Sequence, residues 1–105
     1  MRALFALVFA VLMAFASDIS IATYNVQNLF DCKDDGSEYP DFKSGTSKWD
    51  CEAASSKLKR TKQVIDAINT DIIALEEVEN EQVLRALVDG SEYKFIAFSK
   101  AKNSP

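Results

Sequence analysis

The sequence of 105 residues contains no histidine. A histidine general acid or base is therefore impossible within this chain, although histidine is the side chain that most often fills that role. Only two cysteines are present. Without histidine they cannot form a structural zinc site, which needs four Cys or His ligands. The sequence also has no internal repeat and no low-complexity segment.

Positive charge is in short supply. Twelve Lys and Arg residues stand against 16 Asp and Glu residues, for a net charge of −4. An acidic balance argues against broad non-specific nucleic-acid binding, which normally uses a basic patch. It does not exclude a nuclease, because a bound metal ion can supply positive charge locally.

The longest apolar run, Ala3–Ala16, is too short for a membrane span of about 20 residues. It follows Arg2 and ends in small residues, which predicts a signal peptide at 1–16 that is cleaved before Ser17. The alternatives are a buried first helix or an uncleaved anchor. We therefore expect an exported protein, periplasmic or secreted, with no stable span after cleavage and a domain at 17–105.

An exported chain with an even number of cysteines is expected to pair them. A disulfide between Cys32 and Cys51 would close a loop and contribute roughly 3 kcal/mol on the chain-entropy model. The alternative is two free thiols in a cytosolic protein.

The predicted elements alternate between strands and helices, which is typical of an α/β layered fold with helices packed on a sheet. Asp50 and Asn80 are candidate helix N-caps, and Gly90 is a candidate helix stop. The predicted elements are a strand at 18–26, a helix at 52–69 with apolar positions Ala54, Leu58, Thr61, Val64, Ile65 and Ile68, a strand at 71–75, a helix after residue 80 with the stripe Val83, Leu84, Leu87 and Val88, and a strand at 92–99.

A long loop at 27–51 separates the first strand from the first helix. Loops of this length inside a domain are usually functional or constrained, and its aromatic residues Phe30, Tyr39, Phe42 and Trp49 predict that it packs. The basic residues of the following helix are expected to form a solvated face, with a phosphate-facing surface as the alternative; they are Lys57, Lys59, Arg60 and Lys62.

Two polar side chains follow apolar strands, Asn25 at the end of the first and Glu77 at the end of the second. If the strands are neighbours, both side chains lie at the same edge of the sheet, where ligand sites of α/β proteins are commonly built. Amide and carboxylate oxygens suit Mg²⁺, Mn²⁺ or Ca²⁺ rather than zinc. On these grounds alone, a solvated glutamate is the commoner outcome.

The segments Thr23–Asn28 and Ala74–Asn80 resemble the first two signature motifs of the endonuclease/exonuclease/phosphatase superfamily, the DNase I-like phosphoesterases. The first motif is an apolar strand ending in aromatic-Asn-Val. In the second, a strand ends in Gln-Glu-Val, and the Glu-Val-Glu-Asn version here looks most like exported bacterial nuclease-type members. The resemblance covers roughly 19–98.

This resemblance implies a Mg²⁺-dependent phosphodiesterase, with Mn²⁺ or Ca²⁺ as alternative ions and a nucleic acid or another phosphodiester as substrate. Asn25 would be the catalytic asparagine near metal and phosphate, and Glu77 the catalytic, metal-binding glutamate. Within the family a nuclease is favoured over a phosphatase or phospholipid esterase. The competing interpretation is a non-catalytic, disulfide-stapled periplasmic binding module.

The chain departs from the family pattern at several points. Glu76 stands where the family usually has Gln, and Gln27 stands where some members have Asp. The family's later motifs, an Asn/Asp pair and an Asp-His pair, are absent. The resemblance therefore implies the incomplete, N-terminal part of a layered α/β sandwich, inactive by itself and with apolar sheet surface exposed.

Overall fold

Two parallel strands joined through a helix form the centre of the structure. The computed structural model describes residues 17–46 and 48–105, so the predicted signal peptide at 1–16 lies outside the described residues. The elements are β1 (Ile21–Leu29), a 3-10 helix (Pro40–Phe42), α1 (Cys51–Ile68), β2 (Ile72–Val78) and α2 (Glu81–Val88). In this described part of the chain, no helix has both the length and the apolar character of a membrane span.

Strands β1 and β2 are neighbours and pair in parallel, with Ile21 opposite Ile72. Hydrogen bonds between Ser20 and the Asp71 side chain hold the two strands together at the start of this ladder. The Ser20 amide and hydroxyl both donate to Asp71 Oδ2, at 2.8 and 2.7 Å. These bonds favour the ionised carboxylate and hold the pKa of Asp71 below its ordinary value.

Both helices begin at the caps that the sequence predicts. Asp50 accepts a 2.8 Å hydrogen bond from the Ala53 amide at the start of α1. Asn80 accepts one of the same length from the Val83 amide at the start of α2. Each cap satisfies a backbone donor that has no partner within its helix. Gly90, just beyond α2, takes a left-handed φ of +73°, which a glycine adopts without a Cβ clash.

One apolar core lies where α1 and α2 cover the same face of the sheet. Its buried members are Val26, Leu29, Ile65, Val83 and Leu87. The predicted stripe of α2 is confirmed at Val83, Leu84 and Leu87, which are buried, and its fourth member, Val88, is half-buried. The stripe predicted for α1 is wrong at Val64, which is 41% exposed.

The long loop packs around aromatic side chains, as predicted. Phe42 stacks on Phe30 with ring centroids 4.8 Å apart and meets Trp49 edge-on at 5.0 Å. The Trp49 indole donates a 2.8 Å hydrogen bond to the Asp31 carbonyl. This aromatic cluster (Phe30, Phe42 and Trp49) holds the loop against the N-terminal part of α1.

The disulfide predicted between Cys32 and Cys51 is present. It joins the start of the loop to the first residue of α1. The loop is therefore fixed to the helix both covalently and through the aromatic cluster.

The strand predicted at 92–99 is wrong. Among the described residues, only β1 and β2 form a sheet, and Phe95 is 97% exposed. Alternating apolar residues favour a strand only where a neighbouring edge supplies ladder hydrogen bonds, and this segment forms none with β2. It instead runs beside β2, and Tyr93 and Phe98 line a groove of about 360 Å³ with Leu75.

The second face of the sheet carries exposed apolar side chains. Ile19 and Ile21 are 71% and 67% exposed, and Ile72 is 52% exposed. Because side chains alternate along a strand, these residues lie opposite the face covered by the helices. Exposed apolar surface of this kind is expected for an incomplete α/β sandwich.

Candidate metal centre

An irregularity in the strand pairing shapes the edge of the sheet at the ends of β1 and β2. Asn25 pairs with Glu76, but the next paired residues are Leu29 and Val78. Three residues of β1, 26–28, therefore lie opposite the single residue Glu77. A bulge of this kind re-aims side chains and is common beside functional sites.

The backbone at the bulge takes an unusual conformation. Gln27, Asn28 and Glu77 have positive φ angles of 56°, 58° and 64°. Asparagine visits this left-handed region readily, whereas glutamine and glutamate do so at a cost in free energy. Such backbone strain persists only where surrounding contacts hold it, and it clusters at functional sites.

The bulge brings the two predicted site residues together. The Asn25 side-chain amide donates to Glu77 Oε1 at 2.8 Å, and the Asn28 backbone amide donates to Glu77 Oε2 at 3.0 Å. The side-chain oxygen of Asn25 in turn accepts from the Gln27 amide at 2.7 Å. Each oxygen of the Glu77 carboxylate is thus held by one donor from β1.

This donor set fits a hard divalent cation. Glu77 and Asn25 are both exposed, so the site is open to solvent. A carboxylate offers about four lone-pair positions, of which two are used by the hydrogen bonds from Asn25 and Asn28. Mg²⁺ commonly binds through only one or two carboxylates and keeps several waters. The residues present could therefore hold a hydrated Mg²⁺ or Mn²⁺.

Comparison with known protein families gives the chain its relatives. A family model described as the Endonuclease/Exonuclease/phosphatase family matches residues 20–105. The chain belongs to the endonuclease/exonuclease/phosphatase family. Searches of the curated proteins and of the solved structures found no match. Membership in the family indicates a phosphoester hydrolase, and such enzymes are generally dependent on divalent metals.

In this family member a lysine from α1 reaches the bulge from the side of the aromatic cluster. Lys57 Nζ donates to the Gln27 carbonyl and, at 3.0 Å, to the Asn28 carbonyl. It lies 5.7 Å from the centre of the Phe42 ring. Burial lowers the pKa of Lys57, while the negative charge of Glu77 acts in the opposite direction.

The prediction that the basic residues of α1 form a solvated face is therefore wrong at two positions. Lys57 is half-buried in the contacts at the bulge. Lys62 Nζ donates to the Asp89 carbonyl at 2.8 Å, just beyond the last residue of α2. Lys59 and Arg60 are exposed, as the prediction requires.

The long loop and the segment after β2 together form a cluster of three acidic residues that the sequence did not predict. Carboxylate oxygens of Asp35, Glu38 and Glu79 lie within 4.8 Å of one another. Glu38 and Glu79 are only 7% and 2% exposed. Glu79 accepts a 2.9 Å hydrogen bond from the Asp31 amide, but burial still raises the pKa of Glu79 above its ordinary value.

A weak signal for part of this group exists in the sequence. Glu79 follows Glu77 by two residues, so the sequence places both near the same edge of the sheet. In the structure both line a pocket of about 80 Å³ with Tyr39. Nothing in the loop sequence singles out Glu38, whose carboxylate accepts hydrogen bonds from the amides of Asp35 and Gly36. That turn becomes visible only once the loop is folded.

Proposed function

We propose that this chain forms the metal-binding part of an exported, Mg²⁺-dependent phosphodiesterase, a nuclease, with its domain at 17–105 following a signal peptide at 1–16. Asn25 and Glu77 are the proposed metal-site residues. The observation that carries the proposal is the 2.8 Å hydrogen bond between them at the ends of two adjacent parallel strands. The proposed substrate is a nucleic acid, the phosphodiester that the family resemblance favours.

The chemistry follows from what each side chain can do. A bound divalent cation would stabilise negative charge developing on a phosphate. Glu77 would supply the anionic oxygen ligand. Asn25 would hold Glu77 Oε1 in place, and Asn28 would hold Oε2 through its backbone amide, so the carboxylate is oriented before any cation arrives. Such pre-orientation avoids the free-energy cost of ordering the ligand during binding.

The composition limits what this chain does alone. It has no histidine, so no imidazole within it can take a proton from an attacking water. Loss of a general base typically costs a factor of about 10² to 10⁴ in rate. We therefore expect cation binding but no measurable turnover of DNA or bis-p-nitrophenyl phosphate by this chain alone.

The disulfide supports the proposal of export. A bridge between Cys32 and Cys51 is compatible with an oxidising compartment such as the periplasm or the extracellular space. N-terminal sequencing of exported material tests the cleavage. A mature chain that begins at Ser17 is expected, and one that still begins at Met1 would contradict it.

The metal site is tested by titrating the chain with Mn²⁺ and following water-proton relaxation. Glu77→Gln removes the anionic ligand and is expected to weaken binding at least about tenfold. Glu76→Gln is the matched control, because it removes the same charge from an exposed neighbour on β2 and should change the affinity less than twofold. Equal losses of Mn²⁺ affinity in both variants would show that only the overall negative charge attracts the cation, and would reject the site.

A further inference from the structure

We propose that Lys57 is a positioning residue for the metal centre, and that it holds the Glu77 carboxylate through the peptide group between Gln27 and Asn28. This inference rests on the proposed function, since it concerns the same site. It assigns a role to a residue of α1 that touches neither the proposed metal ligands nor a substrate.

The connection is a single peptide group with a charged partner at each end. The carbonyl of this group belongs to Gln27 and accepts a hydrogen bond from Lys57 Nζ. Its N–H belongs to Asn28 and donates to Glu77 Oε2 at 3.0 Å. In a trans peptide the two bonds point in opposite directions. The ammonium and the carboxylate therefore align the same dipole, and each hydrogen bond strengthens the other.

Lys57 also supports the neighbouring peptide. Its second hydrogen bond, at 3.0 Å, goes to the Asn28 carbonyl, so one ammonium holds two successive carbonyls of the left-handed pair Gln27 and Asn28. A left-handed backbone at non-glycine residues needs such support to persist.

The ammonium is in turn held by its surroundings. Lys57 lies over the rings of Phe42 and Trp49, at 5.7 and 6.0 Å from their centres. The positive charge of Arg60, on the same helix, lowers the pKa of Lys57, and the negative charge of Glu77 raises it. A half-buried ammonium is stable only with acceptors, and the two carbonyls at the bulge supply them.

A purely electrostatic role and a positioning role for Lys57 predict opposite changes in cation affinity when its ammonium group is removed. If Lys57 acted only through its positive charge, its removal would relieve repulsion and tighten the binding of a divalent cation. If it positions Glu77, its removal weakens binding, because loss of a residue that orients a ligand typically costs about 10- to 100-fold in affinity. The sign of the change therefore separates the two roles.

The test compares Lys57→Met with Lys62→Met in the full chain. Lys62 is a matched control, because it lies on α1 and donates to carbonyls at the C-terminal end of α2, away from the bulge: Ala86 at 3.4 Å and Asp89 at 2.8 Å. Lys57→Met is expected to weaken Mn²⁺ binding at least about tenfold. Lys57→Arg, which keeps the charge and donors, should recover most of the affinity, and Lys62→Met should leave it within twofold.

A second readout does not depend on metal. Amide hydrogen exchange at Asn28, followed by NMR in a chelator, should speed up about tenfold in Lys57→Met, the amount expected for one weakened hydrogen bond. Exchange at Asn28 should be unchanged in Lys62→Met. If the wild-type chain binds no Mn²⁺ but Asn28 responds in this way, the proposed function fails and the positioning role stands. Unchanged exchange in Lys57→Met, or tighter Mn²⁺ binding, overturns the positioning role.

If Lys57→Met does not fold, an experiment on the wild-type chain tests whether Lys57 is held at the bulge. Limited acetylation with acetic anhydride, read out by peptide mass spectrometry, should modify Lys57 several-fold more slowly than the exposed Lys59 of the same helix. Equal modification rates would show that Lys57 is not held at the bulge and would overturn the proposal.

Discussion

Asn25 donates a 2.8 Å hydrogen bond to Glu77, although the two residues are not partners in the strand ladder. The partner of Asn25 in the register is Glu76. Glu77 has a left-handed backbone, with φ at 64°, and lies opposite the bulge. These two features bring the side chain of Glu77, rather than that of Glu76, to Asn25. The hydrogen bond between the two proposed site residues thus depends on local backbone geometry as much as on sheet topology.

Replacing Asn25 with Asp should have opposite effects on stability and on cation binding. The variant loses the donor to Glu77 Oε1 and places two carboxylates in contact, so the cation-free chain should lose about 1 kcal/mol of stability. The added anionic oxygen should tighten Mn²⁺ binding. Chemical denaturation in a chelator and Mn²⁺ titration measure the two effects.

Asn25→Ala is the control for this prediction. It removes the donor without adding charge, and should lower the stability without any gain in cation affinity. If Asn25→Asp binds Mn²⁺ no more tightly than Asn25→Ala does, the carboxylate at position 25 does not reach the cation, and the assignment of Asn25 to the metal site is wrong.

The sequence predicts the parts of this molecule that depend on short-range patterns. Asp50 and Asn80 cap helices because a short polar side chain before an apolar periodic segment is a local signal. Cys32 and Cys51 pair because no other cysteine is available. The meeting of Asn25 and Glu77 at one sheet edge follows from strand order.

Features that depend on how the long loop and the C-terminal segment pack on the other elements could not be predicted in this way. The 92–99 segment has the alternation of a strand but pairs with no strand among the described residues. Lys57 has the sequence pattern of a solvated residue, and its role emerges only when the carbonyls of Gln27 and Asn28 turn toward α1. Glu38 meets Glu79 because the long loop folds back to the residue that follows β2 by one position, and no local sequence pattern predicts this.

Leu87→Ala should disrupt the fold. Leu87 is 1% exposed in the core between α1, α2 and the sheet, and Leu→Ala changes at such sites cost about 2–5 kcal/mol. A domain this small has little stability in reserve. We expect a large loss of far-UV circular dichroism at 222 nm. Val64→Ala, at a position 41% exposed, should leave the spectrum unchanged; a similar loss in both variants would contradict the core assignment.

We expect the exposed apolar face of the sheet to promote self-association, and threonine at positions 21 and 72 to reduce it. Ile21 and Ile72 are partners across the ladder and are both largely exposed, so they expose apolar surface that favours association. Threonine keeps the β-branched shape that suits a strand. The double variant Ile21→Thr/Ile72→Thr should bind less 1-anilinonaphthalene-8-sulfonate and elute later in size-exclusion chromatography. If both measurements match wild type, this face is not the surface that drives association.

Glu79→Gln should stabilise the chain at neutral pH in the presence of a chelator. Burial raises the pKa of Glu79, and the nearby carboxylates of Asp35 and Glu38 act in the same direction. The folded state therefore prefers the protonated form. Its contribution to stability is fully present below the unfolded pKa of about 4.3 and is lost as the pH rises through the higher folded value. Glutamine mimics the protonated form at every pH and can still accept the hydrogen bond from the Asp31 amide.

The stability gain of Glu79→Gln over wild type should therefore be near zero at about pH 4, grow as the pH rises from the unfolded pKa to the folded pKa of Glu79, and level off above the folded value. Urea denaturation at a series of pH values measures this difference. Glu76→Gln removes the same unit of charge from an exposed position on β2 and should give a small difference that does not change sharply with pH. A gain for Glu79→Gln that is constant across the series would mean that ionisation of Glu79 does not limit stability, and a loss at neutral pH would mean that the ionised carboxylate is itself favourable in the folded chain.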